Sequence, residues 1–184
     1  LDIKAVKLSP EKPFTWASGW KSPIYCDNRK VLSYPAARKV VYEAFVEIIK
    51  KHFKDVEVIA GVATGAIAYG MMVAEVLGLP FVYVRPKPKD HGTGVQVEGD
   101  LPEKARVVVV EDLISTGGSS LAAVDALHKA GANVLGMVAI FSYNFIKSIR
   151  AFENANVELH TLSHYEALLE KAVEENYVKP EDLD

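Results

Sequence analysis

Cysteine is almost missing from this chain: Cys26 is the only one in 184 residues. An intrachain disulfide and a cysteine-built zinc site are both excluded, and a reducing, cytoplasmic compartment is the natural setting. Basic charge is not in excess either, since 21 Lys and Arg stand against 24 Asp and Glu for a net charge of −3. That balance argues against a surface built to track nucleic acid and makes any anion site a local one. A long uninterrupted apolar run is also lacking. The most apolar stretch, residues 66–84, is broken by Glu75 and Pro80 and carries Gly70 and Gly78, so it reads as a buried helix followed by a strand and no membrane partner is expected. The opening Leu1-Asp2-Ile3-Lys4 has no basic-then-apolar signal pattern and no Met, and a trimmed start is expected. G-x-G-x-x-G and G-x-x-x-x-G-K-[ST] do not occur, which weakens dinucleotide and Walker-type readings. Nor is there an internal repeat, a low-complexity tract or a linker rich enough in Gly, Ser or Pro to divide the chain.

What remains is a chain with 49% hydrophobic residues, expected as one domain over 1–184 that buries roughly 70% of its unfolded surface without a staple. Strand-like and helical segments alternate. Phe14–Ala17 and Ile24–Arg29 are short strand candidates. Ser33 and Pro35 announce a helix ending near Phe53, with Val40, Val41, Ala44, Phe45, Ile48 and Ile49 as its apolar stripe. Then follow a strand over Val56–Ala60, a helix to Leu77, a strand over Phe81–Arg85, a polar loop to about Pro102, a strand over Arg106–Val110, a helix to Ala130 capped by Gly131, and a strand over Val134–Phe141. An edge strand over Val157–Leu159 and a capping box at Ser163–Glu166 opening the last helix complete the reading. This order predicts an α/β fold with a mainly parallel central sheet flanked by helices. Residues 1–30 stand outside the alternation and form a small hood over the strand ends, where open α/β sheets bind ligands.

The most informative stretch is Val107–Ser120: four valines, Glu111 and Asp112, then Ser115-Thr116-Gly117-Gly118-Ser119 opening a helix. The β-branched run suits a central strand buried on both faces, which delivers the two acids to the sheet's carboxyl end. Adjacent carboxylates repel and lose hydration there, so they persist best when they accept hydrogen bonds from neutral hydroxyls or sit near a divalent cation. A ribose diol offers such hydroxyls. The small-residue loop lets backbone N–H groups and hydroxyls converge on a phosphate at the positive end of the next helix. Acids for a sugar and amides for a phosphate together describe a phosphoribosyl group.

Three further segments bear on a site. The segment 85–94 concentrates Arg85, Lys87, Lys89 and His91 in an otherwise acidic chain, with Gly92 and Gly94 as hinge points, and suits a lid closing on pyrophosphate. Gly61–Gly65, including Thr64, follows a strand as a small-residue turn. Residues 14–29 offer hydroxyls, free amides around Ser22-Pro23, and the cations Lys21 and Arg29, a face suited to a flat anionic heterocycle; composition alone does not name the base. Trp16, Trp20 and Tyr25 serve equally as core or as stacking platforms. His160 and His164 straddle a strand-to-helix boundary and His52 lies on a helix surface, so none is read as a metal ligand.

The Val107–Ser119 stretch resembles the phosphoribosyl-pyrophosphate (PRPP) signature of type I phosphoribosyltransferases, and residues 14–29 resemble the orotate phosphoribosyltransferase pattern F-x-L-x-S-G-x-x-S-P-x-Y-x-D-x-R. Phe14, Ser18, Gly19, Ser22, Pro23, Tyr25, Asp27 and Arg29 satisfy that pattern, and Trp16 replaces its leucine. The resemblance implies the type I phosphoribosyltransferase fold and transfer of 5-phosphoribosyl from PRPP to orotate. It implies that Glu111 and Asp112 hold the ribose and Ser115, Thr116, Gly117, Gly118 and Ser119 the 5′-phosphate. Thr64, Arg85, Lys87, Lys89 and His91 then meet the pyrophosphate, with Arg85, Lys89, His91 and Asp112 catalytic. Ser22, Pro23, Ile24, Tyr25 and Ser115 meet orotate. It further implies Mg²⁺ held through PRPP near Glu111 and Asp112, without a direct protein ligand, and a homodimer whose lid completes the neighbouring site. Pro86 stands where many members have lysine, Ala17 where some carry an active-site lysine, and Ser142-Tyr143-Asn144 where many have an Asp-Arg pair. A purine phosphoribosyltransferase and a PRPP-sensing regulator without turnover are the alternatives.

Overall fold

The computed structural model describes residues 1–16, 19, 21–88 and 95–183. Four short strands form the hood: β1 (Val6–Leu8) pairs antiparallel with β4 (Ile24–Cys26), and β2 (Phe14–Thr15) with β3 (Lys21–Ser22). Strand β4 stops at Cys26, short of the expected Arg29. Asp27 caps a 3₁₀ turn over Asn28–Ser33 there by accepting from the Arg29 backbone N–H, and so bends the chain out of the strand. Helix α1 (Pro35–His52) then starts on Pro35, whose missing N–H costs nothing in the first turn. Its buried residues are Phe45, Val46 and Ile49, whereas Val40 is 68% exposed, so the first residue of the expected stripe lies outside the packed face.

The main sheet alternates with helices as follows: β5 (Val58–Val62), α2 (Ile67–Leu77), β6 (Phe81–Val84), β7 (Val97–Glu98), β8 (Arg106–Ile114), α3 (Gly118–Lys129), β9 (Asn133–Ser142), α4 (Ile146–Asn154), β10 (Leu159–His164) and α5 (Tyr165–Glu174). Its order is β10-β9-β8-β5-β6-β7, parallel except for β7, which pairs antiparallel with β6 at one edge. The mainly parallel sheet is therefore as expected. Val107–Val110 of β8 are all fully buried, with Val107 and Val109 packed into the core under α3 and α4, and Val108 and Val110 into the core under α1 and α2. A strand covered on both faces needs apolar residues at successive positions, which the four valines supply.

Several boundaries differ from the sequence reading. β7 lies inside the segment read as loop, and α4 was not anticipated at all. The edge strand begins at Leu159 rather than Val157, because the Val157 N–H is taken by the Phe152 carbonyl at the end of α4. The last helix is capped by His164, whose Nδ1 accepts from the Ala167 N–H, while Ser163 belongs to the strand and pairs with Phe141; the expected capping box does not form. Gly131 does end α3, bonding its N–H to the His128 carbonyl while Ala132 bonds Leu127. Among the described residues no helix is long and apolar enough to cross a membrane.

Candidate active site

Sheet order changes direction between β5 and β8: the chain leaves β5 towards β6 on one side and resumes through β8, β9 and β10 on the other. Open parallel sheets bind ligands in the crevice beyond the strand ends at such a point. A pocket of about 520 Å³ opens there, lined by Ala63, Thr64 and Gly65 after β5, Arg85 after β6, Glu111, Asp112, Ser115 and Ser119 from β8 and its loop, and Cys26, Asp27 and Arg29 from the hood.

The strand β8 runs past Val110 to Ile114, further than its valine run suggests, because its last residues pair with β9: Glu111 faces Ala139, Leu113 faces Phe141 and Ile114 faces Ser142. The two acids thus sit on a paired, rigid extension. They are not equivalent. Glu111 is 4% exposed; its Oε2 accepts from the Ser120 hydroxyl at 2.7 Å and its Oε1 from the Asp112 backbone N–H at 2.9 Å. Burial first, then the adjacent Asp112 carboxyl, pushes the Glu111 carboxyl well above the ordinary glutamate range. Asp112 is half-buried and lies against Gly65, where a Cβ would run into its carboxylate. Only glycine lets the turn after β5 approach the acid this closely. The Ala63–Thr64 peptide in that turn is cis.

The loop after β8 leads into α3 with Gly117 at the N-cap in a left-handed conformation, and no side chain caps the helix. Its first N–H groups therefore have no side-chain partner, and Ser119 in this first turn lines the pocket, an arrangement that suits an anion. Ser115 and Thr116 are half-buried, Ser119 is exposed, and the Gly118 Cα has open space around it. Arg85 is fastened at its backbone by two hydrogen bonds with Gln96, and its guanidinium lies 3.5 Å from Glu98. Lys87 is exposed and outside the pocket lining. Lys89 and His91, with Ala17, Ser18 and Trp20, lie outside the described residues.

In the hood, Ser22 is buried with its Oγ accepting from the Ile24 N–H, Ile24 is 1% exposed against Phe141 and Tyr143, and Pro23 and Tyr25 are exposed. These four lead directly into Cys26, the first hood residue of the pocket wall. The Cys26 thiol is pushed up to about 12 by burial and by Asp112, so it is a packed side chain and no nucleophile. Trp16 belongs to the core: its Nε1 donates to the Ile24 carbonyl and its ring lies 4.8 Å from Tyr143. Tyr143 is itself buried in that aromatic cluster, Asn144 donates to Glu166, and none of residues 142–144 is among those lining the pocket.

Two residues escaped the sequence reading. Ser120 holds Glu111 in place. Asn28 donates from Nδ2 to the Asp112 carbonyl at 2.7 Å, accepts the Cys26 S–H, and lends its own carbonyl to the Tyr69 hydroxyl at 2.7 Å, tying hood, β8 and α2 together. Ser120 could have been suspected from its place one turn into the helix after the acids; nothing in the spacing marked Asn28.

A family model described as a phosphoribosyl transferase domain matches residues 28–158. Over its full length the chain is 54% identical to an orotate phosphoribosyltransferase of Porphyromonas gingivalis, covering 88% of that protein. It is 57% identical over 183 residues to an orotate phosphoribosyltransferase of Phocaeicola vulgatus, covering 86% of that one. Among solved structures, the crystal structure of orotate phosphoribosyltransferase from Aeropyrum pernix superposes with a TM-score of 0.83 at 30% identity, covering 92% of this chain and 93% of that one.

Proposed function

The chain belongs to the phosphoribosyl transferase family, among its orotate phosphoribosyltransferases, and from that premise we propose how its pocket works. The enzyme moves the 5-phosphoribosyl group from PRPP to orotate, giving orotidine 5′-monophosphate and pyrophosphate. The observation that carries the reading of the site is a convergence: the paired acids on β8, the uncapped start of α3 and the Thr64–Gly65 turn all face one pocket at the sheet's switch point.

Asp112 and Glu111 accept hydrogen bonds from the ribose hydroxyls, and the backbone of Ser115, Thr116, Gly117, Gly118 and Ser119 receives the 5′-phosphate. Thr64 and Arg85 stand where the diphosphate leaves, and Lys87, Lys89 and His91 close over it from the lid. Ser22, Pro23, Ile24 and Tyr25, with Ser115, border the orotate. Arg29 is the hood cation at the pocket wall, paired with Asp27 at 2.7 Å. C1′ gains cationic character as its bond to pyrophosphate lengthens, and the base nitrogen attacks from the opposite face. No covalent enzyme intermediate is needed, and the residues contribute orientation, water exclusion and charge stabilisation.

The carboxylates fit an ion that arrives with the substrate. Glu111 is buried and already accepts from Ser120 and the Asp112 N–H, which leaves Asp112 as the more available acid, and the pair offers too few oxygens to cage a hard cation alone. Mg²⁺ held by the diphosphate oxygens supplies neutralisation of the leaving-group charge when bound. A cytoplasmic homodimer whose lids are shared between subunits completes the reading.

The test is a spectrophotometric assay with PRPP and Mg²⁺, run on orotate beside adenine, hypoxanthine and uracil. Orotate alone is expected to be consumed. Turnover confined to a purine overturns the base assignment, and PRPP binding without any turnover favours a regulator.

A further inference from the structure

The opposite end of α1 carries a second cluster of chemistry-bearing side chains, remote from every residue lining the pocket. His52 is the last residue of α1, and Phe53 after it plunges into the core at 4% exposure. Glu158, just before the edge strand, and His160, its second residue, bring their side chains together on one side. The His160 Nε2 lies 2.6 Å from the Glu158 carboxylate, the His52 Nδ1 lies 4.0 Å from the same oxygen, and the three ligand atoms all fall within 4.8 Å of one another. The two imidazole rings are 4.0 Å apart.

The scaffold behind these side chains is built rather than incidental. Phe53 lies against β9 at Gly136, where a Cβ would come within 2.6 Å of the ring and 2.8 Å of the Glu158 carbonyl, so a larger residue would push both away. The Phe53 ring in turn meets His160 edge-on at 5.7 Å and His52 at 6.5 Å, so both imidazoles rest on one buried side chain. Glu158 is anchored through its carbonyl, which accepts from the Met137 N–H at 2.8 Å. The C-terminus of α1 contributes partial negative charge beside His52.

We propose that His52, Glu158 and His160 form a site for a divalent transition-metal ion of the zinc class, with a fourth position open to water. Two neutral imidazoles and one carboxylate are a donor set that zinc takes up in open sites, with ligand atoms roughly 3.3 Å apart around a tetrahedral ion. The observed spacings bracket that value, and the partly exposed side chains need only small rotations to reach it. Imidazole donors select zinc, cobalt or nickel over Mg²⁺, which prefers oxygen, so the ion that serves transfer does not compete here.

The experiment titrates the full-length protein, stripped with chelator and kept in excess Mg²⁺, with Zn²⁺ by calorimetry and with Co²⁺ by visible absorption. One ion per chain is expected, with a hundredfold excess of Zn²⁺ over its dissociation constant raising Tm by roughly 5–10 °C. His52→Ala, His160→Ala and Glu158→Gln should each weaken binding by roughly tenfold or more while basal transfer stays at the wild-type rate, which shows that the variants fold. Binding no tighter than about 1 mM, or equal in wild type and the His52→Ala/His160→Ala double variant, overturns the proposal. Variants that melt lower than wild type while Zn²⁺ leaves the wild-type Tm unmoved also overturn it, and leave the cluster as a fastening between α1 and β10.

Discussion

Glu111 shows what the site costs the fold. Its carboxyl is buried beside a second acid, and its proton affinity in the folded chain is raised above that of an unfolded glutamate. Between the two values the folded state binds more protons than the unfolded one, so stability falls as pH rises through that window. Glu111→Gln removes the titration. The amide can keep both contacts, its oxygen accepting from the Asp112 N–H and its N–H₂ donating to the Ser120 hydroxyl oxygen, so the pH-independent cost stays at or below about 1 kcal/mol. Its Tm relative to wild type should therefore climb between pH 5 and pH 8, by at most about 1.4 kcal/mol or roughly 2–4 °C per pH unit. Calorimetry across that range checks it; a constant offset would mean that Glu111 titrates as it does unfolded. The kcat/KM for PRPP should fall about tenfold in the same variant, the worth of one charge-assisted hydrogen bond to a ribose hydroxyl. At this scale the sequence was readable where chemistry requires a residue type at a fixed spacing, as with the acids and the Ser-Thr-Gly-Gly-Ser turn. It was silent on Asn28, whose three hydrogen bonds depend on where the chain folds back.

Among the elements, the hood is held over the strand ends by the packing of Ile24 and Trp16 on Phe141 and Tyr143 and by the Asn28 side chain. Asn28→Ala leaves the Asp112 carbonyl and the Cys26 S–H without their partner while the backbone bond from Tyr69 stays, and should cost about 1–3 kcal/mol with KM rising for both substrates. Asn28→Asp should do worse than Ala, since a carboxylate cannot donate to the Asp112 carbonyl and adds like charge beside the Asp112 side chain. Thermal melts with KM values for PRPP and orotate decide it, and an Asp variant equal to wild type would remove Asn28 from any positioning role. Elements with strong internal signals were legible: the valine run of β8, the Pro-started α1 and the Gly131 stop of α3. Helix α4 was not. It buries only Ser148 and Phe152, has no side-chain cap, and leaves Ile146 and Ile149 exposed, so its apolar residues do not trace the face that packs. The two-residue β7 is defined by pairing with β6 alone, which no local pattern encodes.

For the whole molecule the open matter is whether one chain is a complete enzyme. Arg85 lines the pocket, while Lys89 and His91, which the proposed function places in a lid shared between subunits, lie outside the described residues. The loss of one transition-state donor typically costs on the order of 3 kcal/mol, so Lys89→Ala alone should lower kcat by roughly a hundredfold. Asp112→Asn should be similarly inactive through loss of the ribose contact. If each site takes its acids from one chain and its lid from the other, a hybrid of the two variants holds one intact site and one doubly defective site. Random exchange of equal amounts makes half the dimers hybrid, so the mixture should recover about a quarter of wild-type activity in a symmetric two-fold assembly. Native mass spectrometry of differently tagged chains establishes that exchange took place. Activity that then stays at the level of the two parents places the lid over its own pocket, and the protein would work as a set of independent chains.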